Sequence, residues 1–310
     1  MLQEAEETAR GDGLSDLRKG VNMEEVVRGE ICRFVAESPD NRFPEGGEQY
    51  FDEPLVGFAA ADDPLFFDYK RIIGDFHLTP AEIIAGAFGV EAGAPATVIC
   101  WALPITRQTR ESNRRESHFP SRKWAETRSR GEQFNTLLRR HLVAWLTDSG
   151  HRAVAPQLSS IWQEYAETPV GIASTWSERH AAYAAGLGTF SLNDALITPR
   201  GIALRLGSVI TDLALTPSVR PYPNHRHNCL FHREGSCGLC IGRCPVGALS
   251  LQGHDKVRCR AYVYDELPKA VGELYGVPAT GCGLCQTRVP CEGMIPPGKG
   301  DGETQQQCIQ

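Results

Sequence analysis

The sequence predicts an α+β protein in which a mixed region of helices and strands precedes a cysteine-rich region. Amphipathic and wholly apolar segments alternate before residue 216, and nine of the eleven cysteines fall in the last third of the chain. A length of 310 residues suits two domains. We therefore expect an α/β domain over residues 21–216, a second domain over residues 217–296, and polar tails over 1–20, expected to be disordered, and 297–310.

Three local signals mark elements in the first hundred residues. Residues 22–37 place apolar side chains near one helical face. Thr79 precedes a proline and has Glu82 three residues later, which is a capping-box start for a helix. Residues 96–103 form a continuous apolar run that Pro104 ends, so we expect a buried strand there.

The elements predicted in the middle of the chain follow in a clear order. A long helix is expected over residues 122–148, and a strand begins at 153–155. An alanine-rich helix with a glycine terminator is expected within residues 177–188. Two strands are expected around 195–198 and 202–211, joined by a proline- and glycine-containing turn.

Eight cysteines of the second region follow an order that resembles a bacterial two-cluster ferredoxin. Eight thiolates are the number that two 4Fe–4S clusters need at four ligands each. In the ferredoxin pattern, the cysteine before a proline binds the other cluster, and here Cys244 precedes Pro245. The sequence therefore predicts crossed ligation, with Cys229, Cys237, Cys240 and Cys291 on one cluster and Cys244, Cys259, Cys282 and Cys285 on the other.

Two spacings depart from the ferredoxin pattern, and two other uses of cysteine stay open. Seven residues separate Cys229 from Cys237, and five separate Cys285 from Cys291, where shorter spacings are usual. Structural zinc also uses paired C-x2-C motifs, and an even set of cysteines suits disulfides. Without a secretory signal, a reducing cytosol is the expected compartment. Of the three remaining cysteines, we expect Cys32 and Cys100 in the core and Cys308 free.

The net charge of the chain limits the kinds of binding partner to expect. The net charge is −6 and the isoelectric point is near 5.9, which argues against a general nucleic-acid footprint. One stretch is nevertheless basic, and it contains Arg107, Arg110, Arg114, Arg115, Arg122, Lys123, Arg128 and Arg130. It is either a solvated helix face or a surface for an anionic substrate, cofactor or RNA phosphate.

Several short motifs resemble the superfamily of epoxyqueuosine reductases and reductive dehalogenases. They are Ala185-Gly186-Leu187-Gly188, the stretch from Leu196 to Gly201, Gly207-Ser208, the stretch from Arg258 to Tyr262, and the stretch from Gly281 to Gln286. The likeness covers about residues 50–295. It implies a nitroreductase-like α/β sandwich that encloses cobalamin, followed by a bacterial-ferredoxin-like domain with two 4Fe–4S clusters. The implied reaction is reduction of an epoxide or a carbon–halogen bond.

The resemblance and the local chemistry give the remaining site residues. Glu178, His180 and Tyr183 are the expected proton donors, and Glu178 matches a glutamate of the family. Gly186, Gly188, Gly201 and Ser208 are expected to contact a cofactor through backbone amides and small side chains. The catalytic aspartate of epoxyqueuosine reductases aligns near Ile172, and we expect the chain to lack the helical repeats that help those enzymes hold tRNA.

Two classes of function remain open from the sequence. The first is a cytoplasmic corrinoid-dependent reductase with a small-molecule or modified-nucleoside substrate, supplied with electrons by a ferredoxin or flavodoxin and not attached to a membrane. The second is a non-catalytic electron-transfer or assembly partner that uses the same two clusters. Ile172 in the aspartate position favours the second class, and the complete α/β region with its glycine motifs favours the first.

Overall fold

A computed structural model describes residues 22–299 of the protein and shows a mixed arrangement of helices and sheet. The helices in these residues are α1 (Met23–Glu37), α2 (Pro64–Ile73), α3 (Pro80–Phe88), α4 (Arg107–Arg114), α5 (Arg122–Asp148), α6 (Glu178–Ala184), α7 (Leu230–Glu234), α8 (Leu239–Arg243), α9 (Lys256–Arg260) and α10 (Glu273–Tyr275). The strands are β1 (Leu55–Ala60), β2 (Thr97–Pro104), β3 (Ala153–Val154), β4 (Glu164–Tyr165), β5 (Ala173–Ser174), β6 (Thr189–Phe190), β7 (Leu196–Ile197), β8 (Leu204–Thr211), β9 (Leu249–Ser250) and β10 (Gly253–His254).

The centre of the sheet region, residues 22–216, is a four-stranded antiparallel sheet in the order β1-β2-β8-β3. Both faces of this sheet are buried. On β2, Ile99 and Trp101 belong to the core beneath α5, whereas Val98 and Cys100 belong to the core that includes α6. Because successive side chains of a strand point to opposite faces, a strand between two cores is apolar at every position. This explains the uninterrupted apolar run that predicted β2.

Most of the predicted elements are confirmed within one or two residues. Helix α1 begins after Asn22, whose side chain accepts a hydrogen bond from the Glu25 amide. The capping box at the start of α3 forms as expected, with Thr79 and Glu82 each bonding the backbone of the other. Helix α5 occupies Arg122–Asp148, as predicted. The expected tail over 1–20, most of the tail over 297–310, and Cys308 lie outside the described residues.

The two strands around the turn at residue 201 do not form a hairpin with each other. Strand β7 pairs with β6, whereas β8 enters the central sheet between β2 and β3. Thr198 and Gly201 close the intervening turn through an isolated bridge. The turn therefore connects the sheet to a separate small hairpin.

The cysteine-rich region, residues 217–296, packs directly against the helices of the sheet region. Arg243 donates hydrogen bonds to the carbonyl oxygens of Glu116 at 2.7 Å and Asn113 at 3.3 Å. Glu292 is 2% exposed and forms ion pairs with Arg110 and Arg114 of α4. Much of the basic stretch is therefore engaged in ion pairs. Within residues 22–299, no helix combines the length and apolar character needed to cross a membrane.

Candidate redox site

The eight cysteines of the predicted motif sit on short elements and loops that bring distant parts of the sequence together. Cys229 directly precedes α7, and Cys240 lies in the first turn of α8. The α8 helix ends at Cys244, since Pro245 follows and the residue before a proline is disfavoured in a helix. A backbone amide, that of Ala248, donates to Cys244 Sγ at 3.2 Å.

Four of these thiols form one electrostatically linked group. Burial raises the pKa of Cys240 to about 11, and the nearby Cys229 and Cys237 add to this effect. Burial likewise raises the pKa of Cys291 to about 12, with contributions from Cys229, Cys240 and Cys237. Thiols resist joint ionisation when they are close together and shielded from water. Cys291 is thus the neighbour of the first three cysteines although about fifty residues of sequence separate it from them.

The other four thiols form a second group. Burial raises the pKa of Cys282 to about 12, with Cys259 and Cys244 as the contributing thiols. Burial also raises the pKa of Cys285 well above its ordinary value, with Cys282, Cys259, Cys240 and Cys244 as the contributing neighbours. Because Cys240 belongs to the first group, the two groups are adjacent.

The thiols are not joined to one another in the described part of the chain. None of the ten cysteines between residues 22 and 299 forms a disulfide. In the same residues, no set of three or more His, Cys, Asp or Glu side chains converges closely enough for a single metal ion. The two groups therefore consist of neighbouring free thiols.

A cavity of about 500 Å³ lies between the sheet region and the cysteine-rich region. This volume is within the usual range for ligand pockets. Glu178, Arg139 and Arg205 contribute to its lining from the sheet region. The complete second thiol group contributes from the other region, namely Cys244, Cys259, Cys282 and Cys285. A ligand in the cavity would therefore lie between the thiols and Glu178.

Glu178 is held by a buried hydrogen-bond network. Ser208 is fully buried and donates its hydroxyl to Glu178 Oε2 at 2.6 Å, while it accepts a bond from Trp176 Nε1 at 2.9 Å. Arg139 Nη2 lies 3.5 Å from Glu178 Oε1. Burial raises the pKa of Glu178, and Arg139 and Ser208 oppose that rise by favouring the ionised form. A raised pKa keeps a carboxyl group protonated closer to neutral pH, which suits a proton donor.

The other two predicted proton donors lie outside the cavity lining formed by the described residues. His180 Nδ1 is 2.8 Å from Ser177 Oγ, and its ring contacts Tyr69 and Phe190. Burial lowers the pKa of His180 to about 3, with Arg179 adding to the effect. Tyr183 stacks at a tilt on Phe190. Of the three side chains, the structure brings only Glu178 to the cavity.

The four residues that were predicted to contact a cofactor are not part of the described cavity lining. They are Gly186, Gly188, Gly201 and Ser208. A Cβ atom on Gly186 would lie 2.5 Å from the Val219 carbonyl oxygen. A Cβ on Gly188 would lie 2.3 Å from the carbonyl oxygen of Ile197. A Cβ on Gly201 would lie 2.3 Å from the carbonyl oxygen of Glu292. These glycines allow backbone segments to approach each other. Ser208 instead donates a hydrogen bond to Glu178, which does line the cavity.

Ile172, which the resemblance aligns near the aspartate of epoxyqueuosine reductases, lines the cavity with an apolar side chain. Sequence reasoning missed Arg139, which is 1% exposed and donates to Glu132 Oε1 at 3.0 Å. A usable signal existed, because Arg139 lies three residues before Leu142 and seven before Leu146, on the apolar side of α5. It also missed Trp176, since nothing in the sequence marks its indole as the donor to Ser208.

Comparison with known protein sequences identifies a similar enzyme. Over 119 residues the chain is 34% identical to an epoxyqueuosine reductase from Bacillus anthracis, which covers 37% of this chain and 29% of the relative. The chain thus spans less than a third of that curated relative. No protein-family profile matches the chain. The sequence match is to an epoxyqueuosine reductase, as the predicted resemblance leads one to expect.

The solved structures that match this chain include two epoxyqueuosine reductases and a reductive dehalogenase, all with TM-scores below 0.5. Epoxyqueuosine reductase from Streptococcus thermophilus is 16% identical with a TM-score of 0.49, covering 89% of this chain and 68% of its own. An epoxyqueuosine reductase bound to a modified tRNA stem loop is 19% identical with a TM-score of 0.46, covering 87% and 65%. A catabolic reductive dehalogenase is 15% identical with a TM-score of 0.48, covering 87% and 36%.

Proposed function

We propose that this protein is a reductase that holds two 4Fe–4S clusters on its eight cysteines and a corrinoid in the cavity between its two regions. When bound, the clusters supply electrons one at a time, and the corrinoid supplies a low-valent cobalt centre able to cleave an epoxide or a carbon–halogen bond. The observation that carries the proposal is the placement of one thiol group and Glu178 on the lining of a single cavity.

The grouping of the thiols supports crossed ligation. Cys291 has Cys229, Cys240 and Cys237 as electrostatic neighbours, and Cys282 has Cys259 and Cys244. We propose one cluster on Cys229, Cys237, Cys240 and Cys291, and the other on Cys244, Cys259, Cys282 and Cys285. The contribution of Cys240 to the pKa of Cys285 supports a short separation between the two groups.

The proposal includes the division of the chain into two domains. We assign residues 21–216 to a nitroreductase-like α/β sandwich, supported by a central sheet with a core on each face. We assign residues 217–296 to a ferredoxin-like domain, supported by the two thiol groups. A small core around Ile197, Ile202 and Val289 joins it to the first domain. Short helices and loops, which dominate this part, are what a chain built around inorganic clusters needs.

The polar groups at the cavity suit a corrinoid, which carries amide side chains around a flat ring. Gln157, Asn193 and Gln286 bring three amide groups to the lining. Gln157 Oε1 is buried and has no hydrogen-bond partner among residues 22–299. Buried polar atoms without partners are costly, and amide groups of a ligand would satisfy them. These residues would hold the corrinoid.

In this proposal Glu178 is the proton donor for the reduced substrate. Its burial favours the protonated form, and Ser208 and Arg139 hold the carboxyl group in place. The apolar Ile172 cannot transfer a proton, so Glu178 would take over the role that an aspartate has in the relatives. The substrate is an epoxide or halide, either a small molecule or a modified nucleoside as in the name of the similar enzyme.

The alternative is a non-catalytic electron-transfer or assembly partner, and Ile172 at the cavity is the observation that favours it. The two functions differ in what the cavity binds. A reductase takes up a corrinoid and a substrate, whereas a partner protein exchanges electrons through its surface alone. In both cases we propose a ferredoxin or flavodoxin as the electron donor and a reducing, cytoplasmic compartment.

Anaerobic reconstitution followed by titration with cobalamin tests the proposal. We expect about eight iron and eight sulfide per chain, following from two clusters. We further expect saturable binding heat and a change in the cobalamin absorption spectrum when a reductant is added. Full iron content with no binding of cobalamin would instead support the non-catalytic partner. About four iron, or stoichiometric zinc, would contradict the two-cluster assignment itself.

A further inference from the structure

The lining of the cavity is basic although the chain is acidic. The whole chain has 32 Lys and Arg against 38 Asp and Glu. Among the described residues that line the cavity, the cations are Arg128, Arg139, Arg179, Arg205, Lys256 and Arg260, and the acids are Glu132, Glu178 and Asp194. The cavity thus reverses the charge balance of the protein, which favours an anion inside it.

Two of these cations form ion pairs with carboxylates of the protein. Arg139 lies 3.0 Å from Glu132 and 3.5 Å from Glu178. Arg260 lies 2.6 Å from Glu164. The two carboxylates offset the desolvation of the buried Arg139 guanidinium, and Glu164 pairs with the exposed Arg260. Arg139 and Arg260 therefore need no ligand.

The charges of Arg128 and Arg205 are not each balanced by a carboxylate of their own. Arg205 Nε is 3.4 Å from Glu132, a carboxylate that it shares with Arg139, and Arg205 Nη2 has no hydrogen-bond partner among residues 22–299. Arg128 has no carboxylate within ion-pair distance in that part of the chain and donates only to the Tyr264 hydroxyl, at 3.3 Å. Burial and the neighbouring Arg128 lower the pKa of Arg205 to about 10, as expected for a pair of close cations.

Arg243 is the guanidinium that binds the backbone around Cys285, since its Nε donates to the carbonyl oxygens of Leu284 at 3.2 Å and Thr287 at 3.1 Å. Arg205 Nη2, in contrast, has no hydrogen-bond partner among residues 22–299. Arg205 therefore keeps donor capacity for a ligand of the cavity.

We propose that Arg128 and Arg205 form an oxyanion subsite of the cavity, which takes a carboxylate or phosphate group with Tyr264 as an additional hydroxyl donor. Guanidinium groups bind such planar or tetrahedral oxyanions through paired hydrogen bonds. The subsite deepens the proposed function and rests on it for the use of the cavity. The oxyanion is carried either by the substrate or by the nucleotide tail of the corrinoid.

Titration of inorganic phosphate into the cluster-loaded, corrinoid-free protein tests the subsite. At low ionic strength we expect one phosphate per chain by calorimetry. Arg205→Met and Arg128→Met should each weaken binding at least about tenfold, the size of one lost charge-assisted hydrogen bond. The control is Arg71→Met, which removes an exposed arginine paired with Asp68 and should leave binding unchanged. Absent binding heat, or equal binding by all four proteins, would overturn the proposal.

Two further titrations identify the source of the oxyanion. Cobalamin carries a phosphate in its nucleotide tail, and cobinamide lacks it. If the corrinoid fills the subsite, Arg205→Met weakens binding of cobalamin but not of cobinamide. If the substrate fills it, phosphate still binds to the cobalamin-loaded protein, and both corrinoids bind the variant normally. The phosphate titration decides the subsite even if no corrinoid binds, whereas iron content and cobalamin binding decide the proposed function.

Discussion

Ser208 donates its hydroxyl hydrogen to Glu178 Oε2 across 2.6 Å, and Trp176 fixes the direction of that bond. An indole N–H can only donate, so the Ser208 oxygen accepts from Trp176 and its own hydrogen is free for Glu178. Glu178 Oε2 is then an acceptor, and the proton of the neutral carboxyl group belongs on Oε1. That atom has no hydrogen-bond partner among residues 22–299, and the Arg139 Nη2 atom 3.5 Å away is the described group that opposes its protonation.

Removal of the hydroxyl in Ser208→Ala should raise the pKa of Glu178 further. The ionised carboxylate would lose a charge-assisted hydrogen bond, worth about 1.5–3 kcal/mol, while the neutral form would lose less. The carboxyl stretching band in infrared difference spectra, followed against pH, measures this change. Ser149→Ala, at the exposed end of α5, serves as the control and should leave the band unchanged. A lower midpoint in Ser208→Ala would contradict the assigned hydrogen-bond direction.

Glu178→Gln should separate proton transfer from electron delivery. Glutamine keeps the shape of the side chain and removes the transferable proton, so turnover should fall by about 10²–10⁴-fold, the usual contribution of a general acid. Iron content and cobalamin binding should stay at the level of the unmodified protein, because Glu178 holds neither group. Turnover within a factor of about two of that protein would show that another donor acts.

Paired cysteine substitutions distinguish crossed from uncrossed ligation. Cys244→Ser together with Cys282→Ser removes two ligands of the same cluster in the crossed arrangement, so about four iron should remain. Cys244→Ser together with Cys237→Ser removes one ligand from each cluster and should leave almost none. The uncrossed arrangement predicts the reverse order. Cys32→Ser, which changes a cysteine outside both groups, should keep about eight iron after the same anaerobic reconstitution.

Gly201→Ala should destabilise the contact between the turn and the Cys291 segment. Gly201 has φ of 84°, and an added Cβ would lie 2.3 Å from the Glu292 carbonyl oxygen. Gly89 has φ of 87° with nothing within 4 Å of an added Cβ, so Gly89→Ala is a matched control for backbone strain alone. We expect about 1–2 kcal/mol of lost stability in the control and a clearly larger loss at Gly201, measured by chemical unfolding. Equal losses of stability in the two variants would show that the backbone at Glu292 moves away from the added Cβ without destabilising the protein.

The elements of the fold could be predicted because their signals are local. The capping box of Thr79 and Glu82 and the apolar run of β2 each depend on a few adjacent residues. The crossed assignment of the cysteines rests on ligand spacing, and it stays a prediction that the paired substitutions test. The role of the Gly201 turn could not, since it depends on the distant Glu292 carbonyl. Glu178 was among the predicted residues, but its separation from His180 and Tyr183 follows from which side of α6 reaches the cavity.

His77 should make the stability of the protein depend on pH. The side chain is 1% exposed, stacks on Trp176, and has no hydrogen-bond partner for either nitrogen in residues 22–299. Burial lowers its pKa to about 4, and the nearby Lys70 lowers it further. The unfolded chain binds this proton near pH 6.5, so stability is complete above that pH and falls as the pH drops from 6.5 toward 4.

His77→Leu should therefore reduce the pH dependence of unfolding. Between pH 7.5 and 5.5, the unmodified histidine costs about 1 kcal/mol of stability, and leucine of similar size removes that cost. Because burial also lowers the pKa of His180, to about 3, part of the dependence should remain in the variant. Anaerobic urea unfolding at both pH values gives the two slopes, with the exposed His118→Leu as the control. If His77→Leu loses as much stability as the unmodified protein on acidification, His77 takes up its proton without unfolding.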